Sequence, residues 1–87
     1  MIDFSPLKAG GITQAEFARL CNVSRAAVHG WLNGAGVHEM RQSRVTRLLK
    51  IISQAIQDEK LPIKGVAKEQ RDDAIKKVLV SYLRTTD

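Results

Sequence analysis

Few side chains in this 87-residue sequence are equipped for chemistry, and their spacing narrows what that chemistry can be. Two histidines, His29 and His38, with one cysteine, Cys21, fall short of the four tetrahedral ligands of a thiol–imidazole zinc site. A lone cysteine closes no intramolecular disulfide. The first 50 residues hold only Asp3, Glu16 and Glu39 as acids, with no Ser/His/Asp constellation and no phosphate-cradling glycine loop. Nothing there supports an enzyme, and no cofactor or metal is expected. Positive charge is what remains. Fourteen Lys and Arg against nine Asp and Glu give +5 and a pI near 9.8, the balance of a chain with an anionic partner. Residues 1–50 carry seven basic and three acidic residues (+4), whereas residues 51–87 carry seven and six (+1).

The elements that must position this charge read as helices, because no stretch alternates apolar and polar residues for long between turn residues. Ser5-Pro6 predicts an N-cap followed by proline at the first helical position, and Gly10-Gly11 stops that helix early. Thr13-Gln14-Ala15-Glu16 spells a capping box, with Ile12 and Phe17 at the hydrophobic-staple positions. A helix should run from about Gln14 to Cys21, with Phe17, Ala18, Leu20 and Cys21 inward. Asn22 tolerates a left-handed conformation and suits a sharp turn. Ser24 then caps a helix from Arg25 to about Asn33, whose Val28, Trp31 and Leu32 are spaced to face inward. A longer helix follows Gly36, with Val45, Leu48, Leu49, Ile52, Ala55 and Ile56 on one face. After a loop from Asp58 to Gly65, a last helix should run from about Ala67 to Arg84. The expectation is an all-α, five-helix domain spanning residues 1–87.

Two short helices joined by a three-residue turn, the second capped and opening on a basic residue, have helix-turn-helix geometry. Residues 14–34, QAEFARLCNVSRAAVHGWLNG, resemble the helix-turn-helix of the phage Cro and repressor family, most of all a small phage or prophage immunity repressor. Gln14 opens the positioning helix, small Ala18 sits at the helix crossing, and Asn22 stands at the turn position that usually holds glycine. Val23, Val28 and Trp31 fill core positions. The resemblance implies a transcriptional repressor that binds a double-stranded, pseudo-palindromic DNA operator as a homodimer.

It also implies roles for particular residues. The second helix would enter the major groove with Ser24, Arg25, Ala26, His29, Gly30 and Asn33 outward. Arg25 can donate twice to O6 and N7 of guanine, and Ala26 allows close approach or meets a thymine methyl. His29 could donate to a base or a phosphate. Gly30 weakens a helix by about 1 kcal/mol relative to alanine, which close approach to DNA would explain. Gln14 lies at a helix N-terminus, where amides favour a phosphate. Arg41, Arg44 and Arg47 follow the motif. Near a helix start Arg41 and Arg44 oppose the dipole, so they are better placed for a phosphate strand than for stability. Trp31 and Cys21 read as core groups, and His38 as no more than a backbone contact.

In the last helix, Ile75, Val78, Leu79, Tyr82 and Leu83 form a stripe that either completes the core or pairs two chains. A dimer interface over 66–85 is the expectation, since one recognition helix covers few bases. The alternative is an antitoxin-like protein whose last helix binds a different protein. No apolar run approaches the ~20 residues of a membrane span, and the opening Met1–Pro6 lacks the basic and apolar regions of a cleaved leader. A cytoplasmic, nucleoid-associated protein without membrane or small-molecule partners is expected.

Overall fold

A computed structural model describes residues 2–85, and among them every regular element is helical. The elements are α1 (Ser5–Ala9), α2 (Gln14–Cys21), α3 (Arg25–Leu32), α4 (Glu39–Gln57) and α5 (Arg71–Thr85), the last entered through a 3₁₀ turn at Lys68–Gln70. The all-α, five-helix reading stands, with shifts at three boundaries. Ser5 is the first residue of α1 rather than its cap, because Asp3 accepts from both the Ser5 amide (2.9 Å) and its hydroxyl (3.0 Å). Asn33 lies just past α3 as its C-cap. The first turn expected of the last helix is wound as 3₁₀, so α5 begins at Arg71.

Helix starts follow local chemistry. Thr13 Oγ1 accepts from the Glu16 amide at 3.1 Å while Glu16 Oε1 accepts from the Thr13 amide at 2.9 Å, the reciprocal pair of a capping box. Ser24 Oγ accepts from the Ala27 amide at 3.1 Å. His38 caps α4 through Nδ1, which accepts from the Met40 amide at 3.2 Å, a defined role for a residue that sequence left nearly unassigned.

The first four helices end alike. In each, one residue turns left-handed and the next amide reaches back five residues: Ile12 to Leu7, Val23 to Ala18, Ala35 to Gly30 and Lys60 to Ala55, at 2.8–3.0 Å. The left-handed residues are Gly11, Asn22, Gly34 and Glu59. Gly11 has a second reason to be glycine, since a Cβ there would stand 2.9 Å from Pro62 Cβ.

One core joins the elements. Phe17 from α2, Val28 from α3, Val45, Ile52 and Ala55 from α4, and Ile75 and Leu79 from α5 are almost completely buried. Apart from the single methyl of Ala55, burying each of these side chains contributes about 1.5–3 kcal/mol. Phe4 brings the N-terminal segment onto the motif, stacked on Trp31 (6.2 Å, 21°) and edge-on to Phe17 (6.5 Å, 80°). Two expectations about facing need correction. Leu32 keeps 39% of its surface exposed, because α3 ends there and the following glycine-rich turn does not cover it. Ile75 and Leu79, expected in a dimer interface, are 1% and 2% exposed and belong to the core of a single chain.

Candidate nucleic-acid interface

The α2–turn–α3 unit is set by three local choices. Ala18 is 3% exposed in the core, on a helix that packs against α3, so a larger side chain there would have to displace its neighbours. Asn22 adopts φ 57°, ψ 47°, the left-handed conformation that its short polar side chain accepts more readily than most. Ser24 then starts α3 in extended geometry. Val28 and Trp31 are buried, which turns Arg25, Ala26 and His29 to solvent, with the C-cap Asn33 and the N-cap Ser24 exposed at its two ends. Gly30 is half-buried beside them, and the nearest atom to a Cβ built on it is Ala35 Cβ at 3.6 Å.

The arginines divide by partner. Arg71 is held by Glu16 (Nε–Oε2 2.9 Å, Nη2–Oε1 3.3 Å) and donates to the Gly11 carbonyl at 2.6 Å. Burial opposes ionisation of Glu16, but Arg71 and the Thr13 bonds outweigh it and hold the carboxyl below its usual range. Arg19 pairs with Asp72 across the same α2–α5 seam (Nη2–Oδ1 3.0 Å). No local spacing announces these links: only the 3₁₀ entry at Lys68–Gln70 makes Arg71 the first residue of a helix, where an unpaired cation would oppose the dipole.

Arg25 differs. It is exposed at the first position of α3, no acid lies in that first turn, and its guanidinium has no hydrogen bond or ion pair among the described residues. Arg41 is likewise exposed near the start of α4 with no such bond. Arg44 is exposed but donates a long bond (3.5 Å) to the Leu20 carbonyl at the end of α2, so it has a stabilising partner that sequence did not reveal. Arg41 and Arg44 both bear on buried Cys21, whose thiol is nevertheless raised to about 11 because desolvation dominates. Cys21 is an inert core thiol. Arg47 is exposed one turn further along α4.

Gln14 is half-buried at the first position of α2. The capping box occupies the Thr13 and Glu16 amides and leaves those of Gln14 and Ala15 pointing out of the helix end, the arrangement that favours a phosphate. Asn33 is less available than expected, since its amide nitrogen donates to the His29 carbonyl (2.9 Å) and lies 3.1 Å from His29 Nε2.

The C-terminal stripe is split. Besides the buried Ile75 and Leu79, Val78, Tyr82 and Leu83 are half-buried, and the Tyr82 hydroxyl donates to Asp58 while Lys60 lies 5.6 Å above its ring. The outer face of α5 presents Asp73, Lys76, Lys77, Val80, Ser81 and Arg84. Among the described residues no group of three or more His, Cys, Asp or Glu could hold a metal, and no helix is long and apolar enough to cross a membrane.

A family model described as "Helix-turn-helix" matches residues 7–54, from α1 through most of α4. Neither the curated proteins nor the solved structures contain a match to the chain.

Proposed function

The chain belongs to the helix-turn-helix family of DNA-binding regulators, and from that premise we propose that it is a transcriptional repressor acting as a homodimer. Two copies of α3 would occupy successive major grooves of a pseudo-palindromic operator, about 34–36 Å apart, and exclude polymerase. A phage or prophage immunity repressor is the form this reading takes. The observation that carries it is Arg25. A cation at the first position of a helix opposes the dipole at about 0.3–1 kcal/mol, and among the described residues Arg25 has neither an acid nor a carbonyl to offset that. The arrangement is unfavourable for a free protein and favourable for one that docks α3 against an anionic, acceptor-rich groove.

In this reading Arg25 reads guanine, with Ala26, His29 and Gly30 lying against the groove. The N-terminus of α2 at Gln14 and the cap at Ser24 take phosphates, joined by Arg41, Arg44 and Arg47. Selection of bound duplexes from a random library tests it. A palindromic consensus protected by the wild-type chain and lost with Arg25→Ala is expected, and a library left without enrichment sinks the reading.

The homodimer has Val78, Tyr82 and Leu83 as the surface part of its expected interface. A second reading draws on the outer face of α5, where Lys76, Lys77 and Arg84 outnumber Asp73. Two copies of that face would repel, whereas an acidic partner protein, such as the toxin of an antitoxin pair, would fit it. Light scattering separates the two: a dimer supports the repressor, and a monomer that assembles only with a second protein supports the alternative.

A further inference from the structure

The outer face of α3 carries Arg25 and His29 one turn apart and continues to Asn33 beyond its end, and the last two are not independent. Asn33 Nδ2 bears two hydrogens and no lone pair to offer. It donates one to the His29 carbonyl at 2.9 Å and faces His29 Nε2 at 3.1 Å. For that second contact to be a hydrogen bond, Nε2 must be the acceptor. The ring is then neutral with its proton on Nδ1. Both amide hydrogens of Asn33 are spent, so the paired N–H and C=O with which an asparagine reads adenine are not available. The donor that the pair shows DNA is the His29 Nδ1–H, while the Asn33 carbonyl oxygen stays an acceptor.

We propose that Asn33 is a positioning residue that selects the Nδ1–H form of His29, and that His29 rather than Asn33 makes the base contact. This rests on the DNA-binding reading of α3 and deepens it by assigning the hydrogen-bonding sense of one contact. A single donor fits the acceptor edges of the major groove, which are the guanine O6, the thymine O4 and the purine N7. At the position His29 contacts, the Nδ1–H does not fit the cytosine amine.

Nitrogen-15 spectra of the imidazole in the DNA-free chain, near pH 8 where an ordinary histidine is neutral, read the tautomer directly. The wild type should show His29 mainly as Nδ1–H. Asn33→Asp keeps the side-chain shape but gives up the bond to the His29 carbonyl and can only accept from the ring, so it should move the proton to Nε2. On DNA, Asn33→Asp should shift preference at one operator position from acceptor edges to the amines of adenine or cytosine. Asn33→Ala should weaken specific binding roughly fivefold, the loss of about one hydrogen bond. Combined with His29→Ala, it should cost nothing further. Three results would each overturn the proposal: a free wild-type ring protonated on Nε2, additive losses in the two alanine variants, or an unchanged base preference in Asn33→Asp. If the wild type selects no duplex at all, the DNA-binding reading fails with it. That failure is recognisable because the tautomer is measured without DNA.

Discussion

Glu16 and Arg71, 55 residues apart, form a two-point ion pair that ties the first turn of α2 to the first turn of α5. Glu16 is 7% exposed and also closes the capping box of α2, so one carboxylate fixes the start of the helix-turn-helix and the docking of the last helix. Removing Arg71 leaves that carboxylate buried with only the Thr13 amide. Arg71→Ala should cost about 2 kcal/mol in chemical denaturation, below the 3–5 of a fully enclosed pair because Arg71 is itself partly exposed. The sign with pH follows from the lowered Glu16 carboxyl. Its stabilisation is complete above the unfolded-state value near 4.3 and is lost as pH falls through the lower folded one. Glu16→Gln should therefore flatten the acid limb of stability against pH, and an unchanged limb would assign it to other carboxylates.

Glu59 ends α4 at φ 62°, the same left-handed turn that glycine or asparagine makes at the ends of α1, α2 and α3. A side chain with a Cβ carries a penalty of about 1–2 kcal/mol there, part of which glycine returns through its freer unfolded chain. Glu59→Gly should raise stability by about 1 kcal/mol in denaturant titration. A neutral or destabilising result would mean that the turn is not left-handed at Glu59.

These two residues mark the limit of what sequence made legible. Thr13, Glu16, Asn22 and Ser24 act on amides within a few positions, so their types and spacing were enough to locate α2, the turn and α3. Glu59 has no turn preference of its own and is left-handed because of what precedes it. The Glu16–Arg71 and Arg19–Asp72 pairs need the docking of α5, which no local spacing encodes. The five-residue stripe on α5 showed the same limit from the other side. Periodicity identified an apolar face and could not say that Ile75 and Leu79 were already covered by their own chain.

Tyr82, the single tyrosine, reports on that docking. Its hydroxyl donates to Asp58 at the end of α4, and this bond, with desolvation and the Asp58 charge, pushes it up to about 12. A group raised on folding stabilises fully below its unfolded value near 10, and that contribution fades as pH rises towards the folded one. The tyrosinate absorbance of the native chain should rise well above pH 10, and Asp58→Asn should move it down. A wild-type titration near 10 would show that the bond does not persist in solution.

Gly30 separates stability from DNA approach in one substitution. A Cβ at this position meets only Ala35 Cβ at 3.6 Å, an ordinary contact, and alanine is the better helix former by about 1 kcal/mol. Gly30→Ala should raise the melting temperature by about 4–8 °C for a chain of this size. If α3 lies close against a groove, the same methyl should weaken operator binding, by roughly tenfold for about 1.4 kcal/mol of lost contact. Gain in stability with unchanged affinity would remove Gly30 from the interface.

Arg25 and Arg41 allow the sharpest test, because both are exposed without partners among the described residues and their expected roles differ. Neither anchors the fold, so alanine at either should leave stability unchanged or slightly improved as an unfavourable dipole interaction disappears. If Arg25 donates to a guanine edge, Arg25→Ala should cost about 1–3 kcal/mol against the selected operator and little against unrelated duplex. Arg41→Ala, removing one phosphate contact, should weaken binding to both alike and lower the slope of log affinity against log salt by about 1. Anisotropy titrations on both duplexes across a salt series distinguish these. Equal losses on both duplexes for Arg25→Ala would make it another phosphate contact, and base recognition would have to come from elsewhere on α3.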